Sequence, residues 1–92
     1  MISKRSKTQI YLDILTSVQR NNGRIKKTHI MYQANLTHDR LERYLEMLLS
    51  NNFIEKSNVK NETFYTLTKK GYDFLTEIRR LKKMSEAFGI PV

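Results

Sequence analysis

Apolar and polar positions change their spacing twice along this chain. Up to residue 49 and again from residue 69, apolar side chains recur every three or four residues, which places them on one face of a helix. Between residues 53 and 67 they form two short runs rich in aromatic and β-branched residues, which are typical of strands. The pattern therefore predicts three helices, a β-hairpin and a last helix. The three early stripes are Ile10, Ile14, Leu15 and Val18; Ile30, Met31 and Ala34; and Leu41, Tyr44, Leu45 and Leu48.

The first helix has a clear start and a clear stop. Ser6 with Gln9 three residues later has the spacing of a capping box, and Asn-Asn-Gly at 21–23 ends the helix, with Gly23 suited to a left-handed conformation. Arg24 and Ile25 then form a short extended piece. We expect this piece to pair as a third strand beside the hairpin.

Residues 27–49 predict a helix-turn-helix. Asn35 stands at the corner between the two helices, where a residue that tolerates positive φ is useful. Thr37 is placed to cap the second helix, and Leu36 and Leu41 flank this cap as a hydrophobic staple. A corner this tight lets a protein insert the start of the second helix, here residues 37–50, into a DNA major groove.

The hairpin and the last helix follow directly. Strands are predicted over 53–57 and 63–67 with a turn at 58–62, and a hairpin in this place is a wing. Thr68 repeats the cap, with Leu67 and Tyr72 as its staple, and Gly89 and Pro91 end the helix near residue 87. The fold class is mainly α with a small β-hairpin: a winged helix-turn-helix head over residues 1–68, then a long C-terminal dimerisation helix and short tail over 69–92.

The last helix carries a coiled-coil spacing that predicts a homodimer. Acids at Asp73 and Glu77 precede bases at Arg80, Lys82 and Lys83, so an antiparallel pair would place opposite charges side by side. A helix that folds back on its own head would begin with the same pattern, so both arrangements stay open. The expected interface residues are Phe74, Ile78, Leu81, Met84, Ser85 and Phe88.

Charge narrows the choice of partners. The chain has 92 residues with 17 Lys and Arg against 9 Asp and Glu, a formal net charge of +8 that is typical of proteins that meet polyanions. The bases are clustered rather than evenly spread, which favours a partner over solubility alone. The three clusters are Lys4, Arg5 and Lys7; Arg20, Arg24, Lys26 and Lys27; and Arg79, Arg80, Lys82 and Lys83.

Composition argues against several other classes. There is no cysteine for a disulfide or thiolate site, and His29 and His38 are too few to indicate a metal. The sequence shows no phosphate-binding Gly-rich loop, catalytic triad or apolar run of membrane-spanning length, so no enzyme, cofactor, small ligand or membrane insertion is expected. We expect a cytoplasmic, chromosome-associated protein. Four aromatics are expected to fill the core: Tyr11, Tyr32, Phe53 and Phe64.

Three segments resemble small archaeal winged-helix DNA-binding proteins of the ArnR-like and chromatin-associated type. The segments are KKTHIMYQANLTHDRLERYLEMLLSNNFIEK, YTLTKKGYDFL and IRRLKKM. The resemblance implies duplex DNA binding and a dimer joined by a C-terminal antiparallel coiled coil. The sequence departs from this family at the wing, NVKNE, where one base is followed by an acid.

The predicted DNA contacts lie at the starts of both helices of the helix-turn-helix and on the wing. Arginines can form two-pronged hydrogen bonds to guanine or phosphate, whereas Asp39, Glu42 and Glu46 repel phosphate and restrict contact to the first turn. The alternative to DNA contact is a solvent-exposed helix face on which Asp39 forms an ion pair with Arg43. The candidates are Lys26, Lys27, Thr28, Thr37, His38, Arg40, Arg43 and Lys60.

Two functions outside DNA binding stay open at the sequence level. The acids on the second helix suit a protein-interaction module that uses a winged-helix scaffold without binding DNA. A basic amphipathic helix lying on a membrane surface is the weaker alternative. Within DNA binding, the sequence leaves a transcription regulator and a chromatin-associated protein open, and its few base-reading side chains and several basic patches favour modest specificity.

Overall fold

A computed structural model describes residues 5–22 and 24–92, so the predictions made for Lys4 and Gly23 fall outside the described part. The described chain is mainly helical with one small sheet, which confirms the predicted fold class. The elements in order are α1 (Lys7–Arg20), β1 (Arg24–Lys26), α2 (Lys27–Ala34), α3 (His38–Ser50), β2 (Ile54–Val59), β3 (Glu62–Leu67) and α4 (Lys69–Phe88).

Side chains cap α1 at both ends. The Ser6 hydroxyl accepts a hydrogen bond from the Gln9 backbone N–H at 3.1 Å, as the capping-box spacing predicts. The Gln9 amide, however, donates to Asp13 at 2.7 Å rather than back to Ser6, so only half of the box forms. At the far end the Asn21 side chain donates to the Ser17 carbonyl. Local sequence thus sets both ends of α1.

The helix-turn-helix corner forms as predicted. Asn35 adopts the left-handed conformation at φ 53°, which allows the Leu36 N–H to reach the Met31 carbonyl at 3.0 Å. The Thr37 hydroxyl accepts from the Arg40 backbone N–H, and Leu36 is buried beside Leu41. The corner therefore fixes the angle at which α3 leaves α2.

The sheet has the order β1-β3-β2 with both pairings antiparallel, which confirms the predicted third strand. The wing turn is shorter than predicted. Val59 pairs directly with Glu62, so only Lys60 and Asn61 connect the strands, at φ 51° and 66°. Positive φ at both central residues is typical of the tight turn that matches strand twist. The predicted turn at 58–62 was wrong because Asn58 also belongs to the ladder.

The core lies between α1, α2, α3, the sheet and the first half of α4. Its members from α1 and α3 belong to the predicted stripes, and Tyr65 joins them from β3. Two aromatics were misplaced. Tyr32 is 85% exposed on α2, so its prediction as a core residue was wrong. Phe64 is only half-buried and lies under the Arg24 guanidinium, 4.1 Å from its ring centroid.

The first half of α4 packs against the head. Leu75 and Ile78 are buried there, and Phe74 stacks on Phe53 with ring centroids 4.1 Å apart. The structure thus places Phe74 and Ile78 in the intrachain core instead of along a free seam. The same apolar spacing suits a coiled-coil seam and intrachain packing, because a helix that packs on its own domain also needs an apolar stripe.

The second half of α4 carries exposed apolar side chains. Exposure rises along the helix from 36% at Leu81 to 53% at Met84 and 73% at Phe88. Gly89 ends α4 with φ 68° and donates its N–H to the Ser85 carbonyl, as its predicted stop position requires. This half therefore presents an apolar surface that the described head leaves uncovered.

Candidate nucleic-acid interface

The exposed face of α3 is opposite the stripe that anchors it. Leu41, Leu45 and Leu48 are buried in the core, and the polar residues of the first two turns face outward. A helix held this firmly by its inner face presents its outer side chains on a rigid support. The outward residues include four of the predicted contacts: Thr37, His38, Arg40 and Arg43.

Charges on α3 are arranged more favourably for DNA than the sequence alone suggests. The Glu42 carboxylate forms an ion pair with the Lys27 ammonium and lies 3.8 Å from Nε2 of His38. Within the part of the chain that the structure describes, Arg40 and Arg43 form no ion pair, so the alternative Asp39–Arg43 pair is not observed. Glu42 is therefore neutralised, while both arginines keep their charge for a ligand.

At the start of α2, the two lysines that were predicted to contact DNA are paired with carboxylates. Lys26 Nζ lies 2.8 Å from a Glu62 carboxylate oxygen on β3, and Lys27 is bound to Glu42. Thr28 is exposed beside them, and no side chain caps the first turn of α2. Free backbone N–H groups at a helix start attract anions. This corner thus offers N–H donors, whereas its two ammonium groups are shared with carboxylates.

Lys60 is exposed at the tip of the wing. Its position in a two-residue turn projects it away from the sheet, while the Lys26–Glu62 contact ties β1 to the base of the same turn. Glu62, the acid of the wing sequence that argued against a basic contact there, is thus paired with Lys26. Lys60 remains placed as a single basic contact.

A cleft between α1 and α3 contains residues that the sequence analysis did not assign to a site. It has a volume of about 380 Å³ and is lined by Lys7, Tyr11, Arg40, Arg43 and Tyr44. The two tyrosine rings meet edge to face with centroids 5.0 Å apart. Burial raises the pKa of the Tyr11 phenol above its ordinary value of 10.0, and the neighbouring Tyr44 adds to the rise. Lys7 and Tyr11 are four residues apart on one helix, which is the sequence signal that could have paired them.

Arg5 has a structural role instead of a free charge. It donates to Asp13 at 2.7 Å and to the carbonyl oxygens of Ala34 and Asn35 at 2.6 and 2.8 Å. A cation at the carbonyl end of a helix is favourable, because the helix dipole is negative there. Arg5 therefore joins the start of α1 to the helix-turn-helix corner.

The described residues meet neither the requirements of a metal site with three or more ligands nor those of a membrane-spanning helix. Over residues 5–22 and 24–92 there is no group of three or more His, Asp or Glu side chains that could hold a metal ion. In the same ranges no helix combines the length and the apolar character needed to cross a membrane.

Sequence comparison relates the chain to one family and to two archaeal proteins. The model of the family described as "Winged helix-turn-helix" matches residues 4–86. Uncharacterized protein MJ0290 of Methanocaldococcus jannaschii is 40% identical over 81 residues, which are 88% of this chain and 36% of that protein. Uncharacterized protein MJ0287 of the same organism is 39% identical over 75 residues, 82% of this chain and 74% of its own length. The chain thus spans about a third of one relative and three quarters of the other.

Solved structures show the same architecture. Sso10a-2, a DNA-binding protein from Sulfolobus solfataricus, superposes with a TM-score of 0.84 at 23% identity, over 91% of this chain and 85% of that one. F93 from STIV, a winged-helix DNA-binding protein, gives 0.70 at 17% identity, over 87% and 92%. At these identities the similarity shows a shared fold.

Proposed function

The chain belongs to the winged helix-turn-helix family, and from that premise we propose that it is a homodimeric protein that binds double-stranded DNA. Its role is that of a transcription regulator or a chromatin-associated protein, and binding rather than catalysis is its activity. Solved proteins of the same architecture, Sso10a-2 and F93, are described as DNA-binding. Helix α3 is the element that enters the major groove.

The charge arrangement on the outer face of α3 supports this proposal most directly. Arg40 and Arg43 are exposed and unpaired within the described residues, while Lys27 neutralises Glu42 on the same helix. An arginine in this position can bind a guanine edge or a phosphate with two hydrogen bonds. Thr37 and His38 precede both arginines at the N-terminal end of α3, which is the end that enters the groove first. This face is therefore suited to a polyanion despite its three carboxylates.

Contacts to the backbone come from both sides of α3. On one side the free N–H groups of the first turn of α2 and the Thr28 hydroxyl can bind a phosphate. Lys60 on the wing tip adds a second cationic contact. Lys26 and Lys27 exchange their carboxylate partners for phosphates or share them. These contacts fix the orientation of the head on the duplex without reading its sequence.

Two heads per molecule would come from the uncovered half of α4. Leu81, Met84 and Phe88 present apolar surface there, and Arg80, Lys82 and Lys83 follow the acids of the first half. An antiparallel arrangement of these second halves brings Lys82 and Lys83 near the partner's Glu86, whereas a parallel one places bases together. We therefore propose an antiparallel dimer in which the second half of α4 is the interface.

Binding to a labelled random duplex at low salt tests the proposal. The double variant Arg40→Gln/Arg43→Gln should bind at least tenfold more weakly, because a hydrogen bond to a charged group such as phosphate contributes roughly 1.5–3 kcal/mol. The control Arg20→Gln/Arg80→Gln removes the same charge from exposed positions away from α3. Absence of wild-type binding, or equal losses in the two double variants, would contradict the proposal.

A protein-interaction module remains a second candidate because of one apolar surface. Met84, Phe88, Ile90 and Val92 line a groove at the end of α4. If a heterologous protein occupies this groove, a pull-down returns one partner and the chain does not retain DNA at low salt. Sedimentation as a homodimer with DNA retention favours the first proposal instead.

A further inference from the structure

We propose that the cleft between α1 and α3 is a clamp for one phosphate of the DNA backbone. This inference rests on the proposed DNA binding and adds Lys7, Tyr11 and Tyr44 to the interface. It also assigns Arg40 a phosphate contact. The sequence analysis placed none of these three added residues in a site, and it treated Tyr11 as part of the core.

The cleft is built from two matched pairs of side chains. Lys7 and Tyr11 are four residues apart on α1, and Arg40 and Tyr44 are four residues apart on α3, so each cation stands one turn from its tyrosine. The rings of the half-buried tyrosines touch edge to face. The side chains of Lys7, Arg40 and Arg43 are more exposed than the two tyrosine rings, so these three cations surround the mouth of the cleft.

The chemistry of the lining selects an anion with several acceptor oxygens. Three of the five lining residues are cations and none is an acid. Arg40 and Arg43 offer planar forks of donors, and Lys7 offers a compact charge, which together match the unesterified oxygens of a phosphodiester. The Tyr11 hydroxyl is protonated at neutral pH and can donate, and burial raises its pKa further. A positive cleft with hydroxyl donors and open access fits phosphate better than an apolar ligand.

The position of the cleft favours the duplex backbone over a free anion. Helix α3 is about as wide with its side chains as the major groove, roughly 10–12 Å, so its two flanks face the two backbones. One flank carries His38 and Glu42, and the Glu42 carboxylate contacts Lys27 of α2. The other flank carries Arg40 and Tyr44, which meet α1. The cleft therefore lies where the second strand would pass when α3 occupies the groove.

The start of α1 is held in place for this role. Arg5 donates to the carbonyls of Ala34 and Asn35 at the helix-turn-helix corner and is bound to Asp13. Lys7 begins α1 only two residues later. Its backbone is therefore tied to the same corner that orients α3, and both walls of the cleft move as one unit.

A salt series on a random duplex with the full chain tests the clamp. The variant Lys7→Gln should reduce the slope of log K against log salt by about 0.9 for each bound head, because one phosphate contact is lost. The matched control Arg20→Gln removes the same charge from an exposed position at the far end of α1 and should keep the wild-type slope. Tyr11→Phe keeps the ring pair and the charge, so it should weaken binding at an unchanged slope.

The outcomes separate this inference from the proposed function. Wild-type binding with the same slope in Lys7→Gln would overturn the clamp alone, whereas no wild-type binding would overturn both. A parallel titration with acetate, a small carboxylic acid that does not absorb in the tyrosine range, is followed by tyrosine fluorescence at constant ionic strength. If this acid binds the wild type but not Lys7→Gln, and the DNA slopes are equal, the cleft takes a small acid and the clamp is rejected.

Discussion

Gly71 shows at the residue scale why a glycine stands in the first turn of α4. A Cβ at this position would overlap the carbonyl oxygen of Phe53, the residue that precedes β2. The same junction is held by Thr68, whose hydroxyl donates to the Asn52 carbonyl at 2.6 Å and accepts from the Gly71 N–H at 2.9 Å. The absence of a side chain thus lets the base of the wing approach α4 closely.

Gly71→Ala should destabilise the protein even though alanine is the better helix former. Helix propensity alone predicts a gain of about 1 kcal/mol, whereas overlap with backbone costs about 1–3 kcal/mol or more. Because the clash is with backbone that cannot rotate away, the cost lies at the upper end, and we expect a net loss of about 2 kcal/mol, seen as a melting temperature lower by roughly 10 °C. The exposed control Thr76→Ala on the same helix should melt at or above the wild-type temperature. A stabilised Gly71→Ala would show that the wing can move away freely.

Glu42 is the acid whose removal should strengthen DNA binding. Glu42→Gln takes a negative charge from the face of α3 and releases Lys27 to contact a phosphate. The slope of log K against log salt on a random duplex should then become steeper by up to about 0.9 per head. Glu77→Gln, which removes an acid paired with Arg80 on α4, is the control. Weaker binding by Glu42→Gln would instead indicate that Glu42 accepts a hydrogen bond from a base.

At the scale of elements, local signals in the sequence were sufficient to predict most boundaries. Ser6, Thr37 and Thr68 each accept a backbone hydrogen bond at the start of a helix, as their spacing predicted. The wing turn was predicted too long because asparagines satisfy turn patterns and can also pair in a ladder, as Asn58 does. Tyr32 was misplaced because it was assigned by residue type, although the stripe of Ile30 and Ala34 already places it on the outer face of α2.

The apolar stripe of helix α4 serves intrachain packing in its first half and the proposed dimer interface in its second half. Its apolar stripe begins inside the head at Leu75 and Ile78 and continues at Leu81 and Met84 on exposed surface. Periodicity alone could not show where intrachain packing stops, because both parts follow the same spacing. The boundary depends on how far the head extends along the helix.

The dimer proposal predicts that charges on the exposed half of α4 separate the protomers. Leu81→Glu/Met84→Glu should sediment as a monomer, since two carboxylates would have to be buried without partners. Thermal unfolding should remain cooperative because both side chains lie outside the intrachain core. Tyr32→Glu, a charge at a highly exposed position on α2, should remain dimeric. A dimeric double variant would place the interface elsewhere.

At the scale of the whole molecule, the candidate site depends on contacts between distant parts of the chain. The sequence identified α3 and its arginines, but the Lys27–Glu42 pair joins residues 15 apart and changes the charge that DNA would meet. The cleft depends on α1 lying beside α3, which brings Tyr11 to Tyr44. Neither result follows from periodicity, because periodicity defines the face of a helix and not its neighbour.

The salt dependence of duplex binding by the wild-type protein tests the central claim most directly. Each head offers four phosphate-binding positions: the α1–α3 cleft, the start of α2, Thr37 and Lys60. Thr37 is neutral and releases no counterion, so the cations of the cleft, the wing and the start of α2 set the salt dependence. Binding to a random duplex should therefore weaken linearly on a log–log plot with a slope of roughly −2 to −3 per head. A specific duplex should bind more tightly with a similar slope if the protein is a regulator. Absence of binding at low salt, or affinity that does not change with salt, would contradict the account.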